Sequence, residues 1–107
     1  RYSDFRYMPE RRLKLMEAIA RQRIVTARYN GGEMRLAPHL MFERRGELFV
    51  SALNLNKNWR SLEEMRLGHF KLSGLNMTEL TDDSFDPLPS YEPAVPQEED
   101  LIVLAVQ

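Results

Sequence analysis

Two turn signals, Asn30-Gly31-Gly32 and Arg45-Gly46, cut residues 23–54 into short alternating runs. That punctuation constrains the fold more than any other feature. Asn and Gly take positive φ cheaply, so Asn30-Gly31-Gly32 predicts a tight hairpin. Ahead of it, Ile24–Asn30 is rich in β-branched residues and sets Val25, Ala27 and Tyr29 against Thr26 and Arg28. After it, Glu33–Ala37 returns with Met34 and Leu36 on one face. Pro38 has no N–H to donate, so the pairing is expected to end there. Leu40–Arg44 and Glu47–Asn54 predict a second hairpin around Arg45-Gly46. After a polar turn at Asn54–Asn58, Trp59–Leu62 reads as a short strand and His69–Leu72 as the last one. Glu63–Gly68 between them fits either a helical turn or a bend.

One helix is expected before the strands. Pro9 suits a first helical position, and Glu10 falls in the first turn. Leu13, Leu15, Met16, Ile19 and Ala20 share a broad face over about Pro9–Gln22, with Lys14, Glu17 and Arg21 opposite. Glu17 and Arg21 make a favourable i,i+4 pair. Residues 1–8, with Tyr2, Phe5, Tyr7 and Met8 among Arg1 and Arg6, read as an N-terminal arm. One helix followed by short strands, without a βαβ rhythm, predicts a mainly β domain: a small five-stranded barrel over residues 9–85. Pro87, Pro89, Pro93 and Pro96 among acidic residues mark 86–99 as an extended linker. Residues 100–107 are a separate apolar, β-like segment. Left exposed, Leu101–Val106 would be an aggregation hazard, so it should pair with a sheet edge of this domain or of another copy.

At 107 residues and 43% hydrophobic, the chain has the size of one small domain with a modest core. Its formal net charge of −1 excludes a polycationic character overall. The charge is unevenly spread, with basic residues concentrated in 1–28 and acidic ones in 79–100, so a local basic patch remains open. There is no cysteine, hence no disulfide or thiolate site. The longest apolar run, Leu101–Val106, is too short to span a membrane. No nucleophile elbow, phosphate loop or His-Glu-x-x-His occurs, so neither catalytic nor metal-ligating residues are expected, nor a cofactor.

The spacing resembles the WYL family, small Sm-like (SH3-type) barrels of bacterial transcriptional regulators. The likeness covers about Leu13 to Phe85. Tyr29 matches the family's strand-end aromatic, Arg35 lies in the return strand, and Pro38 matches its proline. Gly46 precedes the family motif, which reads Leu48-Phe49-Val50 here where the family has Trp-Tyr-Leu. Arg60-Ser-Leu-Glu-Glu-Met-Arg-Leu67 aligns with the family's arginine run, and Thr81-Asp-Asp-Ser-Phe85 with its acidic-Phe ending. The resemblance implies a cytoplasmic ligand-sensing domain that takes a nucleotide or nucleic-acid-derived anion in a basic groove. It also implies a DNA-binding domain outside this chain.

Under that resemblance the groove residues are Tyr29, Arg35, Arg60 and Arg66, with Phe49 at the motif as a stacking candidate; His39, directly after Pro38, and Trp59, as a second stacking candidate, are added on the residues themselves. Guanidinium suits phosphate because it is planar, always charged and bidentate. On the residues alone the bland readings are also open. Arg60 and Arg66 fit solvated arginines beside Glu63 and Glu64. Tyr29 and Trp59 fit core aromatics, and a lone His39 or His69 is more often structural than a ligand. Arg28 is expected to point outward. Two rival functions remain: a stand-alone single-strand nucleic-acid-binding barrel, and a protein-interaction or oligomerisation module, for instance a homodimer, without a ligand.

Overall fold

A computed structural model describes residues 2–107, with side chains from Glu10 onward. Arg1 of the expected arm lies outside the described residues. Helix α1 spans Tyr2–Arg21, so it starts well ahead of Pro9. Pro9 then sits inside the helix, where its missing N–H costs one backbone bond. Leu15, Ala18 and Ile19 form the buried face, while Leu13 is 62% exposed. The expected apolar stripe was thus placed too far round, and Ala18 occupies the core instead. Gln22 ends the helix with φ at 54°, a conformation usually left to Gly. Its amide Nε2 donates to the Phe85 carbonyl at 3.0 Å, and the Phe85 N–H donates back to the Gln22 carbonyl at 3.0 Å. Those two bonds fix the corner between helix and sheet.

Six strands follow: β1 (Arg23–Tyr29), β2 (Gly32–Arg44), β3 (Glu47–Asn54), β4 (Gly68–Lys71), β5 (Asn76–Ser84) and β6 (Leu101–Ala105). All pair antiparallel in the order β4-β3-β2-β1-β5, with β6 also on β2. Among the described residues the protein is mainly β with one α-helix, as its sequence predicts, but with six strands in place of the expected five. Both hairpin turns form. Asn30 and Gly31 have φ of 53° and 80°, as do Arg45 and Gly46, which gives the strand twist that two-residue hairpins need.

Three strand expectations change. Trp59–Leu62 is not a strand; a short 3-10 turn at Leu62–Glu64 follows a bend. β5 was not foreseen, because Asn76–Ser84 alternates weakly and ends in acidic residues. The greatest change is at Pro38. β2 runs through it for 13 residues and stays paired to β3 on one edge, Pro38 opposite Ala52. On the other edge, pairing with β1 stops at Leu36 and pairing with β6 starts at Leu40. The missing N–H of Pro38 falls in the gap between those partners, where no ladder bond is required.

The main core lies on the face of the sheet covered by α1, where Leu15, Val25, Leu36, Met41, Val50 and Leu75 are buried. The opposite face is covered by residues 86–100, which pack on the sheet rather than hang from it. Leu88 is buried against Ala37 and Leu53. The Tyr91 hydroxyl, with its single proton, sits between the carbonyls of His39 (3.2 Å) and Val106 (3.1 Å) and is shared by them. Asp100, 4% exposed, takes a bidentate pair from Arg44 Nε and Nη2 at 2.8 Å each. This strap delivers β6 to β2. Burial of Val106 alone stabilises by about 1.5–3 kcal/mol. Deleting residues 101–107 should therefore lower unfolding free energy by at least that amount and promote association through the uncovered edge of β2. Chemical denaturation and light scattering check both; an unchanged midpoint would show that β6 contributes nothing.

Candidate functional site

The β3–β4 connection builds an open groove of about 250 Å³, lined by Asn54, Lys57, Trp59, Arg66, Leu67, Gly68 and Phe70. Asn54 anchors it: its side chain accepts the Asn56 N–H at 2.9 Å, and its carbonyl accepts Trp59 Nε1–H at 3.0 Å. With its indole N–H satisfied, the Trp59 ring is held as a fixed plate. Lys57 Nζ lies 4.6 Å from the ring centroid, a cation–π contact. Arg66 Nη1 donates to the carbonyls of Glu63 (2.7 Å) and Met65 (3.1 Å). Both Nη1 protons are thereby used, which leaves Nε and Nη2 as donors on a positioned guanidinium. Gly68 lets the wall close, since a Cβ there would come within 3.2 Å of the Phe70 ring.

The expected residues are only partly brought together. Trp59 and Arg66 share this groove, and Arg60 is exposed on the bend next to Trp59. Tyr29 reaches it only through Phe70, whose ring it meets edge-on at 5.2 Å. Arg35 is elsewhere. The register sets it opposite Thr26, and Leu36 opposite Val25, so Arg35 shares the outer face with Thr26 and Arg28, away from Tyr29. Its guanidinium pairs with Asp83 at 2.9 Å. Phe49 lies on the other face from Phe70, stacked on Phe42 at 5.3 Å with Arg44 5.2 Å from each ring. Lys57 was missed in the sequence; its spacing to Trp59 in Asn56-Lys-Asn-Trp-Arg60 was the available signal.

His39 is corrected most plainly: it is fully buried and cannot face a ligand. It sits at a bulge, where the β2–β3 register shifts between Pro38 and Leu40. Nε2 accepts the Leu88 N–H at 3.1 Å, and Nδ1 lies 2.8 Å from the Ala37 carbonyl. Accepting at Nε2 and donating at Nδ1 requires the neutral ring. Its faces meet Phe85 and Tyr91, each at 5.0 Å. His69 lies on the outer face, with Nδ1 2.8 Å from Ser51 Oγ. Among the described residues no group of His and carboxylate side chains is placed to hold a metal ion, and no helix is long and apolar enough to cross a membrane. Comparison with protein-family models, curated proteins and solved structures gives no match.

Burial holds the His39 imidazole below its ordinary 6.5, against the opposing pull of the Ala37 carbonyl. Burial and the Arg44 charge do the same to His69, against Asp100. The unfolded chain therefore binds these protons more readily. Stability should be full above 6.5 and decline as pH falls from there through the folded values. The Arg44 hydrogen bonds hold Asp100 below 3.8, so its contribution is lost only as pH falls beneath that value. Denaturant titrations across pH check this. His39→Gln, whose amide oxygen can accept the Leu88 N–H without titrating, should flatten the upper decline; an unaltered profile would remove His39 as its cause.

Proposed function

We propose that the protein is the ligand-sensing domain of a bacterial transcriptional regulator of the WYL type. In this reading the Lys57–Trp59–Arg66 groove binds an anionic nucleotide or a short single-stranded nucleic acid. The observation that carries the reading is a positioned guanidinium and an exposed ammonium flanking one anchored indole. Those are the two chemistries a nucleotide requires, charge for phosphate and a plate for the base. Magnitudes favour exchange at Trp59. An exposed cation–π contact is worth about 0.5–1 kcal/mol, against about 1–3 kcal/mol for base stacking on an aromatic. An incoming base can displace Lys57 from the ring, and the freed ammonium then meets the phosphate. Arg60, on the same bend, adds a further cation.

The strand order supports an Sm-like barrel, because β4 and β5 are the two outer strands that closure would bring together. The groove occupies the connection aligned with the family's arginine run, which supports the regulator reading over an isolated β domain. A DNA-reading domain would then lie outside this chain, and the setting would be the cytoplasm. Chemical turnover is not part of this reading. Direct binding of single strands without a regulator is the second reading. It is favoured by the groove's openness, which lets a polymer run past Trp59.

Titration with mononucleotides and single-stranded oligonucleotides at two salt concentrations tests both. Arg66→Ala and Trp59→Ala should each weaken binding about ten- to a hundred-fold. Lys57→Ala should chiefly reduce the salt dependence, since phosphate contacts set that slope. Arg28→Ala and Arg35→Ala lie on the outer face and should change little. Equal losses at all these positions would indicate undirected charge attraction, and saturable binding of oligonucleotides alone would favour the second reading.

A further inference from the structure

The groove and the strap share walls. Trp59, Met65 and Leu67 pack against the cluster that Leu88 forms with Ala37 and Leu53, so the indole plate of the groove backs onto the seat of the strap. Arg66 makes the second link. Besides the groove, it lines a depression of about 180 Å³ with Leu62, Glu63 and the strap residues Pro89 and Ser90. One guanidinium therefore faces both the ligand space and the strap.

We infer that occupancy of the groove and docking of the 86–107 strap reinforce one another, so that a bound nucleotide is reported as a tighter strap. This rests on the groove being the ligand site. The reason is geometric. A base on Trp59 and a phosphate on Arg66 engage the same two side chains in the positions they hold against the strap, so each partner favours the arrangement that the other binds. Linkage makes the effect reciprocal: whatever factor the ligand gives to strap docking, the strap gives to ligand affinity. The strap has fixed points for such a report. Leu88 N–H is held by His39 Nε2 at 3.1 Å, Val106 N–H by the His39 carbonyl at 2.8 Å, and Asp100 by Arg44. Tightening at Leu88 is therefore transmitted through His39 to the β6 end of the strap. A domain joined beyond β6 would be the natural recipient of that change.

The test uses the whole chain and a short single-stranded oligodeoxynucleotide. Occupancy is followed through Trp59, the single tryptophan of the chain. Amide exchange is followed at Leu88, Tyr91 and Val106, with Ala27 and Met34 in the β1–β2 hairpin as controls. Saturation should slow exchange at the three strap amides by about 5- to 150-fold, the usual span of such couplings, and leave the controls unchanged. Leu88→Ala, and separately Asp100→Asn at the far end of the strap, should weaken binding although neither lines the groove. If Leu88→Ala does not fold, Asp100→Asn carries this arm. Occupancy at Trp59 with unchanged or faster strap exchange overturns the coupling and leaves the groove reading intact. Absence of any change at Trp59 overturns both.

Discussion

A neutral imidazole at the bulge of β2 ties the structure together. His39 is where the longest strand changes partners: β1 on one side of it, β6 on the other, with β3 along the opposite edge from Leu36 to Arg44. The bulge displaces one residue from the ladder, and that residue uses its freedom to bind the strap. Ring and backbone together engage Ala37, Leu88, Tyr91 and Val106. Without the uncharged ring, the Leu88 N–H would be buried with no acceptor, a cost of about 1–3 kcal/mol. Both β6 and the covering of the outer face depend on that arrangement.

The strap solves a problem created by the sheet. A small sheet with one helix buries only one face, and Ala37, Leu53 and Phe42 would leave the other apolar. Residues 86–100 cover it with a few large contacts instead of a second helix. Leu88, Tyr91 and the Asp100–Arg44 pair are spaced along the segment, and hydrogen-bonded turns at Leu88–Tyr91 and Gln97–Asp100 fold the chain between them. The same segment then closes beside the groove. Structural cover and candidate ligand site thus meet at Trp59, Leu67 and Arg66.

Arginine placement separates two roles that look alike in sequence. Arg35 and Arg44 are committed to carboxylates, Asp83 and Asp100. Arg66 is committed to backbone carbonyls through one nitrogen, and among the described residues its two others have no hydrogen-bond partner. For anion recognition the second arrangement is the useful one, because the charge is positioned without being neutralised.

The hairpins were legible in the sequence because they are local. Asn30-Gly31 and Arg45-Gly46 specify their own backbone angles, and the period-two pattern of Val25, Ala27, Met34 and Leu36 names the core face. Arg66 as a site candidate was legible from the spacing that resembles a known family; Trp59 was a stacking candidate on its residue type alone, and its place beside Arg66 came from the structure. The course of β2 through Pro38, the burial of His39, the opposite faces of Tyr29 and Arg35, and the packing of 86–100 were not. Each depends on what lies across the sheet: a proline is tolerated in a strand only where the neighbouring edge is empty, and a histidine is buried only where a distant N–H awaits its lone pair. Local sequence determined the turns, the alternation and the mainly β class. Tertiary structure decided which polar residues were consumed by the fold and which stayed exposed, because that division is set by partners distant in the chain.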